Sequence, residues 1–175
     1  MLGAVAVLAF SLVHGAVFLA LKTDGDLRLR ARALALRWSP VAAVPLLAWA
    51  GLVHLRGGSP VTAVLWVVAA LAVPVAWARI RVDREGQAFA AWAAMLVAAA
   101  ATIFGAAYPV VVPSTIDPAF DVTIADASVS DYTLTVMTWA AGFGLPVVLG
   151  YQAWTYWVFR KRLTAEHEEP AGVHA

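Results

Sequence analysis

Five long apolar stretches separated by short polar segments set the plan of this chain. They run over Leu2–Leu21, Trp38–Leu55, Pro60–Ala78, about Gln87–Val112 and Tyr132–Phe159. Each is close to or above the roughly 20 helical residues that cross a ~30 Å hydrocarbon layer. None alternates apolar with polar, which excludes a membrane β-barrel. The pattern predicts an all-α fold, a polytopic transmembrane helix bundle of five spans over residues 1–162, with a hydrophilic tail at 163–175. The second stretch is the shortest and contains Pro40 and Pro45. The fourth carries four alanines in a row, Ala98 to Ala101, as a water-soluble helix can. Its lack of any Asp, Glu, Lys or Arg decides for a span. Internal prolines (Pro45, Pro74, Pro109, Pro146) each free a carbonyl. Such kinks are tolerated where neighbouring helices or water resatisfy that group, so these helices are expected to pack against partners.

Charge orients the spans. Basic residues gather on the cytoplasmic side of membrane proteins. Placing the connection after the first span inside puts all of the 12 Lys and Arg residues there except Arg56. The long loop Pro113–Asp131, on the opposite side, holds Asp117, Asp121, Asp126 and Asp131 and no Lys or Arg. The N-terminus is therefore expected outside and the C-terminus in the cytoplasm. The first stretch reads as a span rather than a signal peptide, because no basic residue precedes it and no small-residue cleavage site follows it. An odd number of spans with an external N-terminus predicts that helices are missing from the front.

Composition sharpens the exclusions. Hydrophobic residues make up 62% of the 175 and charged residues 13%. A soluble chain of this length cannot bury that much apolar surface. The net charge of +1 gives no basic stripe for nucleic acid. There is no cysteine, hence no disulfide and no thiolate-held iron or zinc.

The first connection is unusual. Asp26 to Arg32 runs without a breaker into Ala33–Leu36, which predicts a helical extension with Arg28 and Arg32 on one face. Such a pair clamps anionic headgroups or a partner's acidic surface. The simpler reading, which the pattern favours, is an ordinary basic flank.

Little chemistry lies at membrane depth. His14 is eight residues before Lys22 and therefore about 12 Å inside. Three roles are open to it: close interhelical packing around one hydrogen bond, with Ser11 and Gly15 nearby; proton or quinone-related work; and haem ligation. Packing is the favoured one. His54 is expected at the interface, and His167 and His174 have no site role in the tail. No HExxH, GxxxxGK or GxGxxG string occurs. Trp38, Trp77, Trp154, Tyr156 and Trp157 are expected as interfacial anchors. Trp49, Trp66, Trp92 and Trp139 fit inter-helix packing more readily than a cofactor or lipid groove. Transporters and channels place polar groups near the midplane, and that pattern is absent, so a supporting subunit is favoured over a small transporter or permease module.

Certain strings carry a family resemblance. The run from Leu12 to Leu27, with His14-Gly15-Ala16 and Lys22-Thr23-Asp24-Gly25, resembles the HGAxxLxxKTxGxL stretch of subunit II of cytochrome bd-type quinol oxidases. Tyr108 to Thr115 resembles its FPxxxPSS turn, and Asp126-Ala127-Ser128-Val129-Ser130 its WDASSS sequence. Leu134 to Trp139 and Leu145 to Trp157 resemble its last helix.

The resemblance implies the last five of about eight crossings. The family's first three helices, its GFDxG-type segment and most of its acidic intramembrane residues have no counterpart here. It further implies a bacterial inner-membrane subunit of the respiratory chain that binds no haem or metal itself and contains no catalytic residue. Haem b and haem d are implied in subunit I, which oxidises quinol and reduces dioxygen to water. Implied partners are that haem-binding subunit, a small single-span accessory subunit and membrane lipids. His14, Lys22, Asp126, Ser128 and Trp154 fall in the matched strings and are expected to serve assembly or interhelical contacts.

Overall fold

The structure, a computed structural model, describes residues 1–159. The predicted tail at 163–175 and the basic run just before it lie outside the described residues. Five helices are long and apolar enough to cross a membrane: α1 (Leu2–Lys22), α2 (Gly25–Gly57), α3 (Pro60–Arg81), α4 (Glu85–Ala107) and α6 (Asp131–Val158). The chain divides into two compact units, the first holding Met1–Ala107 and the second starting at Tyr108.

In the first unit α1 packs chiefly on α2 and α3 on α4, while α2 touches all three others. The seams are built from small residues. Ala6, Ala35, Ala50, Ala69, Ala88 and Ala99 are fully buried. Lipid tails are as apolar as leucine, so helices in a bilayer gain by close backbone approach rather than by leaving water. Gly105 shows the limit of that approach: a Cβ added there would lie 3.0 Å from the Thr62 methyl group. Indole N–H groups that pack against a neighbouring helix have to find acceptors. Trp66 Nε1 donates to the Leu47 carbonyl at 2.9 Å and Trp77 Nε1 to the Leu36 carbonyl at 3.2 Å. Trp92, fully buried, points Nε1 at the Phe10 carbonyl, 3.5 Å away. Of the four tryptophans not assigned to an interface, three thus lie in this unit's interhelical contacts, Trp49 by its packing against Gly3. Trp139, in the second unit, is stacked on Phe143.

Each connection in this unit is short and capped. Thr23 ends α1, its hydroxyl and N–H both donating to the Leu19 carbonyl at 2.7 and 3.0 Å. Gly25 follows at φ +68°, a left-handed conformation that side chains disfavour, and lets the chain reverse directly into α2. Helix α2 therefore begins at Gly25, and the predicted helical extension over Asp26–Leu36 is part of it. At 33 residues it is about 50 Å long, and its first turns extend past the hydrocarbon layer. The stretch predicted as the shortest span lies in the longest helix, and Pro40 is internal to it along with Pro45. Ser59 and Thr62 form a reciprocal capping box at the start of α3, with Pro60 in the first turn. His54 Nδ1 lies 2.8 Å from Thr62 Oγ1, tying the end of α2 to that cap.

In the second unit β1 (Val110–Val112) pairs antiparallel with β2 (Val122–Thr123), matching Val110 to Thr123 and Val112 to Val122. A 3₁₀ turn over Pro118–Phe120 lies between them, and the short helix α5 (Ile124–Ala127) leads on towards α6. The fourth span was expected to reach Val112, with Pro109 as an internal kink. Instead α4 stops at Ala107. Pro109 has no N–H to continue the ladder and pushes Tyr108 out of the helical region. The three valines beyond it are β-branched and pair as a strand.

Candidate functional site: a stacked histidine and a charged staple

His14 sits in α1 with its ring between two phenylalanines. Its centroid is 5.1 Å from Phe10 on its own helix and 4.3 Å from Phe89 on α4, at interplanar angles of 20° and 27°. Phe10 in turn stacks on Trp92 at 5.7 Å and 6°, and Phe18 lies tilted over Phe89 at 5.9 Å. Five rings thus join α1 to α4. The single hydrogen bond expected to organise this packing is not made by Nδ1, which is buried without a partner. Stacking supplies the contact instead, each such aromatic pair contributing about 1 kcal/mol beyond its area. A Cβ added at Gly15 would meet nothing within 4 Å, so this glycine is no point of close approach. Both faces of this ring are covered by phenyl groups and Nδ1 is buried, as in a packed side chain.

The other four residues from the matched strings lie elsewhere. Lys22 is in the last turn of α1. Asp126 and Ser128 come together at α5. Asp126 accepts from the Thr123 hydroxyl at 2.7 Å and from its N–H at 3.1 Å, and its own N–H donates back to that hydroxyl at 3.3 Å. Ser128 closes the turn by donating to the Ala125 carbonyl at 3.0 Å. Trp154 is in α6, its ring tilted against Tyr151 at 6.2 Å.

The Thr123 hydroxyl, and then its N–H, hold the Asp126 carboxyl below the usual carboxylate range. A depressed folded-state pKa stabilises the turn above the unfolded value and loses that contribution as pH falls through the folded one. The Thr123 amide is therefore expected to be protected from hydrogen exchange near neutral pH. Protection should fall below the ordinary carboxylate range, and Asp126→Asn should flatten this pH profile.

The most connected polar group is one whose partners the sequence did not disclose. Arg28 Nη2 and Nε donate to Glu85 Oε1 at 2.6 and 3.0 Å, and Nη2 also reaches Asp83 Oδ1 at 3.5 Å. One helical turn later, Arg32 donates from Nε to the Ile80 carbonyl and from Nη2 to the Arg81 carbonyl, both at 2.9 Å, while Nη1 meets Asp83 at 2.7 Å. Arg32 thereby adds side-chain donors to the carbonyls that close α3, of which Ile80 also accepts from the Asp83 N–H at 3.4 Å. Arg28 holds Glu85, only 2% exposed, at the start of α4, where negative charge also suits the helix dipole. Asp83, at φ +57°, makes the left-handed turn between them, a conformation Asp tolerates. The favoured reading of Arg28 and Arg32 as an ordinary basic flank is thus corrected: they do hold an acidic surface, but it is the chain's own hairpin turn rather than a partner's. The clue was present: Asp83 and Glu85 are the only acids in the connector placed on the same side as Arg28 and Arg32.

A bundle of this plan, with its matched strings in order along α1, the loop and α6, is one a family comparison decides. The model of the family described as cytochrome bd terminal oxidase subunit II matches residues 1–159. The chain belongs to that family. Cytochrome bd ubiquinol oxidase subunit 2 of Bacillus subtilis (strain 168) is 38% identical over 97% of this chain and 51% of its own length. Cytochrome bd-I ubiquinol oxidase subunit 2 of Escherichia coli (strain K12) is 30% identical over 90% of this chain and 51% of its own. The chain thus spans about half the length of these curated relatives. Among its described residues no group of three or more His, Cys, Asp or Glu is arranged to hold a metal ion.

Proposed function

We propose that this chain is a structural part of a bd-type quinol:oxygen oxidoreductase, packing against a haem-carrying subunit I and binding no haem itself. The observation that carries this reading is the match to the subunit II family across residues 1–159. The setting of His14 supports the finer point. The one histidine expected at membrane depth is enclosed by Phe10 and Phe89 as a packing residue is.

In this reading quinol is oxidised, and dioxygen reduced to water, at haem b and haem d in the partner. The Arg28–Glu85 staple fixes the shape that the partner recognises. The staple lies on the cytoplasmic side, as the distribution of basic residues supports. The five residues His14, Lys22, Asp126, Ser128 and Trp154 serve assembly. No proton step is assigned to them.

Purification from native membranes tests the proposal. The chain should emerge with a haem-rich partner whose reduced spectrum shows a long-wavelength chlorin-type band. A preparation free of pigment would favour a transporter or permease module instead. His14→Gln is expected to leave assembly and the haem spectrum intact. Loss of one haem signal in that variant, with the partner still bound, would make His14 a ligand.

A further inference from the structure

The charges at the staple end of the first unit do not all find partners within it. Arg28 and Arg32 are taken up by Asp83, Glu85 and the carbonyls of α3. Arg30 pairs with Asp26 at 3.5 Å. Arg37 and Arg81 differ. Among the described residues neither makes an ion pair, and each guanidinium instead lies over an indole. Arg81 Cζ is 4.6 Å from the centre of the Trp77 ring, and Arg37 Cζ is 5.6 Å from that of Trp38. These distances lie within cation–π range, and the stacking leaves the N–H edge of each guanidinium free to donate.

Both pairs belong to one structure. The Arg32 bonds to Ile80 and Arg81 place the first turns of α2 and the last turn of α3 at the same end. The Trp77–Leu36 hydrogen bond joins the ring beneath Arg81 to the residue before Arg37. Towards the membrane, each arginine continues into an exposed apolar strip of its own helix. Val41 and Val44 follow Arg37 at four and seven residues, on its face of α2. Pro74 and Val67 precede Arg81 at seven and fourteen residues, on its face of α3. Two guanidiniums seated on tryptophans at one end of the helices, above exposed apolar strips, complement one chemical class: an anionic headgroup carrying acyl chains.

We propose that Arg37 and Arg81, seated on Trp38 and Trp77 at the α2–α3 seam, bind the phosphate of an anionic phospholipid of the surrounding leaflet. Its acyl chains lie along Val41 and Val44 of α2 and Val67 and Pro74 of α3. The site is independent of the haem question, because it needs only a bilayer around these two helices.

The test uses the protein with its associated subunits in native membranes and then in nanodiscs. A photoactivatable phosphatidylglycerol should label peptides containing Arg37 and Arg81 on the order of tenfold more than its phosphatidylcholine counterpart. In nanodiscs, R37Q/R81Q should retain on the order of tenfold less phosphatidylglycerol, while R37K/R81K, which keeps charge without the planar fork, should fall between. Equal labelling by the two lipids would overturn the site, and needs no variant that folds. So would competition by millimolar inorganic phosphate, which marks a site for soluble anions. Capture of Arg37 or Arg81 by an acidic residue of a neighbouring subunit would also overturn it. Whether the preparation carries haem reports on the oxidase reading alone, so the two proposals fail separately.

Discussion

Arg28→Met is expected to destabilise the first unit by roughly 3 kcal/mol, the scale for removing one partner of a buried ion pair. Glu85 has only 2% of its side chain exposed, whereas Arg28 keeps 25%. That asymmetry sets the pattern of the result. Without Arg28 the carboxylate loses its two guanidinium hydrogen bonds in a place water does not reach. Without the carboxylate the guanidinium still meets water and Asp83. Glu85→Gln should therefore cost less, about 1–2 kcal/mol, and Arg28→Met with Glu85→Met should recover a large part of the loss. Equilibrium unfolding of the purified protein in mixed micelles, arranged as a double-mutant cycle, gives the coupling directly. A coupling near zero would show that the short distances between the two groups contribute nothing to holding α2 against the α3–α4 turn.

The spans were legible because hydropathy, length and the absence of internal charge answer one physical question, whether a stretch can sit in hydrocarbon. The same logic found the helical extension before Trp38, since nothing between Asp26 and Leu36 breaks a helix. It failed at the end of the fourth span. There apolar character continued through Val110–Val112, but the backbone changed from helix to strand at Pro109. Hydropathy is blind to that change. Proline, and the residue before it, are where it had to be read.

The staple was half legible. Spacing put Arg28 and Arg32 on one face of α2, yet their partners lie some fifty residues on, across a hairpin whose left-handed turn at Asp83 no hydropathy pattern encodes. The tryptophans divide in the same way. Composition made them numerous, but only tertiary packing distinguishes Trp92, with no exposed surface, from Trp38, which is about half exposed. Asp126 and Ser128 were picked out by their place in a matched string, and the contacts they make within this chain open and close a single turn.

Trp92→Ala is expected to produce the other large loss, about 3–5 kcal/mol. The magnitude needs a separate argument here, because an indole moved from a helix seam to lipid gains no hydrophobic transfer energy. What is lost is contact. Trp92 is fully enclosed, stacks flat on Phe10 and points its N–H at the Phe10 carbonyl. Truncation opens a void among fixed, packed neighbours, and a lining atom facing a void forfeits its dispersion partners outright. Trp92→Phe keeps the stack and most of the volume, so it should cost less than half as much. His14 provides the internal comparison. It lies between Phe10 and Phe89 in the same stack, and His14→Gln, which loses two ring contacts but keeps most of the volume, should cost about 2 kcal/mol. If unfolding in mixed micelles ranked His14→Gln above Trp92→Ala, the stack would not be organised around the indole. The unpartnered Nδ1 would then have to be read as held for something other than packing.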